Sequence, residues 1–366
     1  MAKAPDNLYV VIIAGGVGSR LWPKSRKSLP KQFFHLNGAK SLAHMTYKRL
    51  SGFIPDNRIF IVAPDYYKKL IKQELPNLPA ENYILEPSKQ GTTAANALSA
   101  MIIHQRNPDA IVHFLVADDY IMDNQRFQKT SAFASHAAED GSVVVFGVEP
   151  HYPSTGFGYI KVGKKLKANG KIKIFQVDKF IEKPNEVTAR RYLRSSKYFW
   201  HGSGFATQTK TIIKTLLKDR LYGRTLKKIQ KEISKGNSLK SDKISKLYKQ
   251  LVDKPIEYTF LEKISSVKMV NLEKTWSDVG SWSQVYDILP KDRQQNAVIG
   301  NKKNIILRNS FQNLIFVSNR LIAVTDIKGM VVVDTDDAVL VCPMPNAQNV
   351  KKIVEILKEK KLTQYI

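Results

Sequence analysis

The chain has 366 residues, 43% hydrophobic and 25% charged, a globular composition sized for about two domains that excludes long-range disorder and collagen-like or linker-dominated chains. Its one cysteine, Cys342, excludes a disulfide framework and a cysteine-based zinc site and fits a reducing cytosol. Lysine and arginine (58) exceed aspartate and glutamate (32) to give +26, yet most lysines punctuate residues 210–254 and 351–361 at the spacing of solvated helix faces, so no nucleic-acid partner is expected.

The first apolar run, residues 9–14, is far shorter than the ~20 residues of a membrane span. It runs into Gly15-Gly16 and reads as a buried strand; no membrane insertion is expected, and the cytoplasm is the default compartment. Further runs at 58–62, 111–116 and 143–146 predict buried parallel strands, with helical composition between them at 39–50, 66–74 and 92–105. This alternation predicts a doubly wound α/β sheet, whose ligand crevice lies at the carboxyl ends of the strands. The pattern turns β-like at 156–181 and helical at 210–251. After Asn296 come short runs at 305–307, 314–317, 321–324, 330–333 and 338–341, which predict a small all-β module. An amphipathic helix closes the chain, with Val350, Ile353, Val354 and Leu357 at i, i+3, i+4 and i+7. Pro290 and the polar stretch 291–296 mark the expected boundary between a domain of residues 1–290 and a module of residues 291–366.

Residues 14–21, Ala-Gly-Gly-Val-Gly-Ser-Arg-Leu, follow a buried strand, where backbone N–H groups can cradle a phosphate. A dinucleotide fingerprint would place a third glycine near Leu21 and an acidic residue ~20 residues further on. No aspartate or glutamate stands between Asp6 and Asp56, and the Gly-Lys-Ser/Thr of ATPase phosphate loops is absent as well. Instead the loop continues through Arg20, Lys24, Arg26, Lys27 and Lys31 with no acid to neutralise them, which fits a polyphosphate ligand. Ala14, Gly15, Gly16, Gly18 and Ser19 are therefore candidate nucleotide-binding residues, and Arg20 and Lys31 candidate catalytic cations.

The run Gly15-Gly16-Val17-Gly18-Ser19-Arg20-Leu21-Trp22-Pro23, then Ser25-Arg26 and Pro30-Lys31-Gln32-Phe33, resembles the signature of mannose-1-phosphate guanylyltransferases, which belong to the nucleoside-diphosphate-sugar pyrophosphorylases. Further matches follow in order at Glu86-Pro87, Ala117-Asp118, Gly156-Phe157-Gly158-Tyr159-Ile160, Phe180-Ile181-Glu182-Lys183-Pro184, Ile256 with Tyr258, Glu262-Lys263 and Trp276-Ser277-Asp278-Val279-Gly280-Ser281-Trp282. The resemblance implies a GT-A-like α/β nucleotidyltransferase domain built on a mixed sheet, then a small β-helix-like module. It implies transfer of a guanylyl group from GTP to mannose 1-phosphate, and it leaves a homodimer open.

Within that resemblance, Asp118 follows the run 111–116 at its carboxyl end and Asp278 follows a second β-type run, 267–272. Two carboxylates near a triphosphate suit Mg²⁺, which completes its shell with phosphates and water, so both are candidate metal ligands. The segment with Glu86 and Thr92 lines the base pocket in the family. Gly158, Glu182, Lys183 and Ser203 fall on the sugar-phosphate side, with Lys183 gripping the phosphate and Glu182 accepting hydroxyls. The sugar phosphate is already ionised near neutral pH, so in-line attack on the α-phosphorus needs no general base and no covalent intermediate. The barrier is anion against anion, lowered by the metal, Arg20, Lys31 and the loop amides.

The chain departs from the family pattern at four places. Val116-Ala117-Asp118-Asp119 replaces Pro-Ala/Ser-Asp-His, and Gln90-Gly91-Thr92 replaces Arg-Asn-Thr. Trp200-His201-Gly202-Ser203-Gly204 replaces Trp-Asn-Ser-Gly, and Ile256-Glu257-Tyr258 replaces Ile-Asp-Tyr. Two alternatives stay open: the same chemistry on another sugar 1-phosphate, such as a heptose, or another nucleotide, and a non-catalytic binder of nucleotide sugars. Retention of both Asp118 and Asp278 favours an enzyme. The acidic run Asp334-Thr335-Asp336-Asp337 reads as a turn between two strands.

Overall fold

Continuous apolar runs build the central sheet, as expected for strands buried on both faces. The computed structural model describes residues 4–36, 40–272 and 276–366. Nine strands follow in chain order: β1 (Leu8–Ile13), β2 (Ile59–Pro64), β3 (Tyr83–Glu86), β4 (Ile111–Val116), β5 (Val143–Val148), β6 (Tyr159–Asn169), β7 (Ile172–Ile181), β8 (Tyr198–Gln208) and β9 (Val267–Leu272). Their order across the sheet is β3-β2-β1-β4-β8-β5-β9-β7-β6. β1, β2, β3 and β4 pair in parallel, whereas β8 runs antiparallel between β4 and β5, so the sheet is mixed. Ile13 stands level with Val62 and Val116, which brings the carboxyl ends of β1, β2 and β4 to one edge. Amides just beyond the strands extend the ladder: Ala14 N–H donates to Val62 O and Ala117 N–H to Ile13 O, each at 2.9 Å.

By packing, the chain divides into two compact units. The first, residues 1–15, 47–117 and 121–276, holds the whole nine-stranded sheet. Its core joins β1, β2, β4 and β5 to the helix Gly91–Arg106 and to the helices Thr209–Leu216, Gly223–Ser234 and Asp242–Tyr248, into which the expected helical stretch 210–251 resolves.

The second unit gathers residues 16–46, 118–120 and 277–366. Six short strands follow, β10 (Ala297–Gly300), β11 (Ile305–Arg308), β12 (Leu314–Val317), β13 (Ile322–Thr325), β14 (Met330–Asp334) and β15 (Val339–Pro343); the first five coil as a β-helix and β15 returns antiparallel along β14. β10, β12 and β14 stack in parallel with Ala297, Leu314 and Val331 in register, and β11 and β13 form the second face with Ile305 opposite Ile322. One turn therefore takes 17 residues, from 297 to 314 to 331. The corners repeat at the same interval: Gln295, Gln312 and Gly329 all take left-handed backbone, as do Asn309 and Asp326. Buried asparagines tie the turns together, because Asn296 Oδ1 accepts from the Asn313 amide N–H at 3.1 Å and Asn313 Oδ1 accepts from Met330 N–H at 2.8 Å.

The acidic turn lies between β14 and β15, closed by Thr335 N–H on Ala338 O at 2.9 Å. The last long helix is Val350–Glu359; Val350 and Val354 are buried as expected, but Ile353 is 38% exposed, so the apolar stripe is narrower than its spacing suggested. Among the described residues, no helix is long and apolar enough to cross a membrane.

Candidate active site

The glycine loop is shaped around a lysine. Gly18 takes φ 78° and opens the short turn Ser19–Leu21, with Leu21 N–H on Gly18 O at 3.0 Å. A Cβ at Gly18 would stand 2.5 Å from Lys31 Cβ, so glycine is required both by the backbone and by the passage of the Lys31 stem. Lys31 N–H donates to Val17 O at 3.1 Å, and the Ser25 hydroxyl caps the same carbonyl. Among the described residues, no atom lies within 4 Å of where a Cβ at Gly15 or Gly16 would stand.

Lys31 itself is only 6% exposed. A buried ammonium needs partners, and it has two: Asp118 Oδ2 at 2.8 Å and the backbone carbonyl of Asp278. The Asp278 carboxylate accepts from the Gln284 side-chain amide, and Ser277 Oγ accepts from Val279 N–H at 3.1 Å to shape the Asp278 loop. Burial raises the Asp278 carboxyl above its ordinary range; Lys31 and Arg20 pull it down, and the charge of Asp118 pushes it up again. Arg20, Lys31, Asp118 and Asp278 thus form one electrostatic cluster, drawn from three separate stretches of chain within the second unit.

Asp118 and Asp278 thus bring two carboxylates into one cluster, in which the charge of Asp118 adds to the rise of the Asp278 carboxyl. Among the described residues no group of three or more His, Cys, Asp or Glu forms a metal cage.

The other expected residues lie in the first unit. Glu86, at the end of β3, is buried and accepts from the Tyr248 hydroxyl at 2.6 Å; burial pushes its carboxyl up to about 7. Thr92 Oγ1 accepts from Ile256 N–H at 2.8 Å, so its hydroxyl already serves the backbone. Glu182 and Lys183 pair at 2.7 Å just after β7, the glutamate nearly buried and the lysine open, with Lys183 in left-handed backbone. Burial opposes the Lys183 charge, but the hydrogen bond and charge of Glu182 outweigh it and hold the ammonium above its ordinary value. Gly158 lies against them: a Cβ there would come 2.7 Å from Glu182 Oε2. Ser203 lies on β8, but its side chain falls outside the described residues.

Several contributors carried no assigned role in the sequence reading. His201 is partly buried near Glu182 and Glu257; burial lowers its pKa against both carboxylates, and its Nε2 lies 3.2 Å from Gly204 O. Glu262 is raised by burial and by the charges of Glu182 and Glu257. Glu257 and Glu262 stand in the matched motif, which was the signal available for them; Gln284 and Tyr248 gave none. A cavity of about 680 Å³ lined by Arg126, Lys129, Phe133, His136 and Lys171 contains none of the expected site residues.

The sequence pattern of the nucleotidyl transferase family matches residues 9–295. The chain belongs to the nucleotidyl transferase family. A second pattern, the MannoseP isomerase/GMP-like beta-helix domain, matches residues 303–357, in agreement with the 17-residue coil. The mannose-1-phosphate guanylyltransferase of Klebsiella pneumoniae is 34% identical over 363 residues, 98% of this chain and 75% of that protein. The alginate biosynthesis protein AlgA of Pseudomonas aeruginosa is 32% identical over 351 residues, 95% of this chain and 71% of that protein. Among solved structures, a mannose-1-phosphate geranyltransferase from Thermus thermophilus superposes with a TM-score of 0.85 at 27% identity, covering 96% of this chain and 99% of the other. Nucleotidyl transferases generally use a divalent metal ion.

Proposed function

We propose that this nucleotidyl transferase moves the guanylyl group of GTP onto mannose 1-phosphate, giving GDP-mannose and pyrophosphate in the cytoplasm. Residues 1–290 act as the catalytic domain and residues 291–366 as the β-helix module. The observation that carries the reading is Lys31, held under the glycine loop between Asp118 and the Asp278 loop. A buried, fixed cation beside an open run of loop amides is what a triphosphate requires and what a neutral ligand does not.

Asp118 and Asp278 would hold Mg²⁺, which when bound neutralises phosphate charge. Lys31 and Arg20 supply fixed positive charge to the oxygens of the triphosphate, already oriented and therefore free of reorganisation cost. The amides of Gly15, Gly16, Gly18 and Ser19 face the phosphates. In the first unit, Thr92 and Glu86 line the base side. Lys183 meets the phosphate of the sugar, while Glu182 and its neighbouring carboxylates accept hydroxyl hydrogens. Ionised sugar phosphate attacks the α-phosphorus in line, so these residues orient two anions and offset their repulsion without taking a proton.

Release of pyrophosphate, measured for four nucleoside triphosphates against mannose, glucose and heptose 1-phosphates, tests the proposal. Fastest turnover with GTP and mannose 1-phosphate is expected. Preference for another pair would change the substrate, and no turnover with nucleotide sugar still bound would leave a binder only. Size-exclusion chromatography with light scattering decides whether the chain forms the homodimer that the resemblance leaves open.

A further inference from the structure

The basic loop 20–27 carries four like charges, and its described regular structure is the single turn Ser19–Leu21. Such a segment spreads unless something holds it. Every long-range side-chain hydrogen bond found on it within the second unit comes from beyond residue 281. Arg26 grips both oxygens of Asp337 at 2.5 Å each. Trp22 Nε1–H donates to Tyr365 O at 2.7 Å, and Trp282 Nε1–H donates to Trp22 O at 3.0 Å. Lys24 Nζ lies over the Phe316 ring, 5.0 Å from its centre. Arg20 Nη1–H donates to Gln348 Oε1 at 2.9 Å.

The two arginines have chemically different partners. A forked carboxylate ion pair occupies Arg26 and cancels its charge, and Asp337 is held below the usual carboxylate range by that contact. The Gln348 amide fixes the direction of the Arg20 guanidinium and leaves its full charge for an anion. Gln348 also stands on firm ground: it belongs to the turn Met344–Asn349, whose Ala347 and the following Val350 are buried in the core of the unit.

We propose that Gln348 is a positioning residue that aims Arg20 at the nucleotide phosphates, and that Asp337 and Arg26 form an anchor for the loop rather than part of the phosphate site. The inference rests on the reading of Arg20 given above. It divides the labour of the basic run: Arg20 acts on substrate, whereas Arg26, equally basic in the sequence, is spent on structure.

A double-mutant cycle tests it on the full chain. Arg20→Ala is expected to lower kcat by ~10²-fold or more, the effect of losing a fixed charge at the transition state. Gln348→Leu, at an exposed position, is expected to leave the melting temperature unchanged and to lower kcat about tenfold, with a smaller change in the KM for GTP, as for a displaced but present catalytic group. The double variant should be no slower than Arg20→Ala alone. Wild-type kcat in Gln348→Leu, or full additivity in the double variant, overturns the positioning role while Arg20 keeps its function. Wild-type turnover in Arg20→Ala instead overturns the reading of Arg20, and the positioning role with it. Arg26→Gln is expected to lower the melting temperature more than it lowers kcat; a kcat loss matching Arg20→Ala at unchanged melting temperature overturns the anchor.

Discussion

In the second unit, the ammonium of Lys31 is 2.8 Å from Asp118, and the cations and acids of the cluster stand against one another, fixed by Gln284, Gln348 and the glycine loop. In the first unit, Glu182 and Glu257 act on the partly buried His201 and on Glu262, with Lys183 as the open cation paired to Glu182. The contrast separates two chemical tasks. Fixed, prepaired charge receives an anion and stabilises more as it forms. In the proposed function, the carboxylates of the first unit accept hydroxyl hydrogens and Lys183 meets a phosphate, which is recognition. The departures from the family pattern fall on both: His201, Glu257 and the Gln90–Thr92 stretch lie in the first unit, while Asp119, next to Asp118, lies in the second, whose cationic loop is intact.

Four substitutions sharpen that contrast, in descending order of effect. Asp278→Asn removes the charge of a proposed metal ligand from the second unit and is expected to lower kcat by ~10³-fold or more, with the circular dichroism spectrum and melting temperature retained; a rate within tenfold of wild type breaks the metal assignment. Gly18→Ala puts a methyl where the Lys31 stem passes and forces a left-handed alanine, so kcat/KM is expected to fall ~10²-fold. An unchanged rate there means Lys31 need not sit where it does. Lys183→Met, by contrast, is expected to raise the KM for sugar phosphate ~10-fold with the KM for GTP nearly constant, as for loss of one phosphate contact; equal changes in both constants erase the distinction between the two regions.

The smallest effect concerns stability and leaves chemistry aside. Burial lifts the Glu86 carboxyl to about 7 from an ordinary 4.5. Between those values the folded chain keeps a proton that the unfolded chain has lost. The stability contributed by protonated Glu86 is therefore complete below pH 4.5, declines as pH rises to 7, and amounts to roughly 3 kcal/mol. Glu86→Gln should flatten that decline, seen as a smaller fall in melting temperature from pH 5 to pH 7; an identical slope in both proteins contradicts it.

The strands that continuous apolar runs predict, β1, β2, β4 and β5, stand where expected, because burial on both faces leaves no polar interruption to misread. β8 escaped because Gly202, Ser203 and Gly204 break its apolar pattern, although glycine there lets the strand pass close to β4 and Trp276. The helix Asn124–Ala137 escaped for a related reason: of its buried residues Phe127, Thr130, Ser131, Ala134 and Ser135, three are small hydroxyl residues that interrupt the hydrophobic period. The 17-residue coil was hidden because its Gln-Asn corner repeats only once, at 295–296 and 312–313, and the third corner keeps the backbone conformation with Gly329 instead. For the site, the glycine loop and its cations were legible from local composition. Their partners were not, since Arg26 meets Asp337 across 311 residues and Arg20 meets Gln348 across 328. Nothing local distinguishes an arginine that binds substrate from one that holds a loop.

The central claim is that Lys31, Asp118 and Asp278 form a prepared seat for a triphosphate and its metal. The most direct measurement is a crystal structure of the protein with GTP and magnesium. The expected result is a triphosphate lying along Gly16–Gly18 within reach of Lys31, with an ion bound by both Asp118 and Asp278. A triphosphate bound away from this loop, or an ion that neither carboxylate touches, would contradict it.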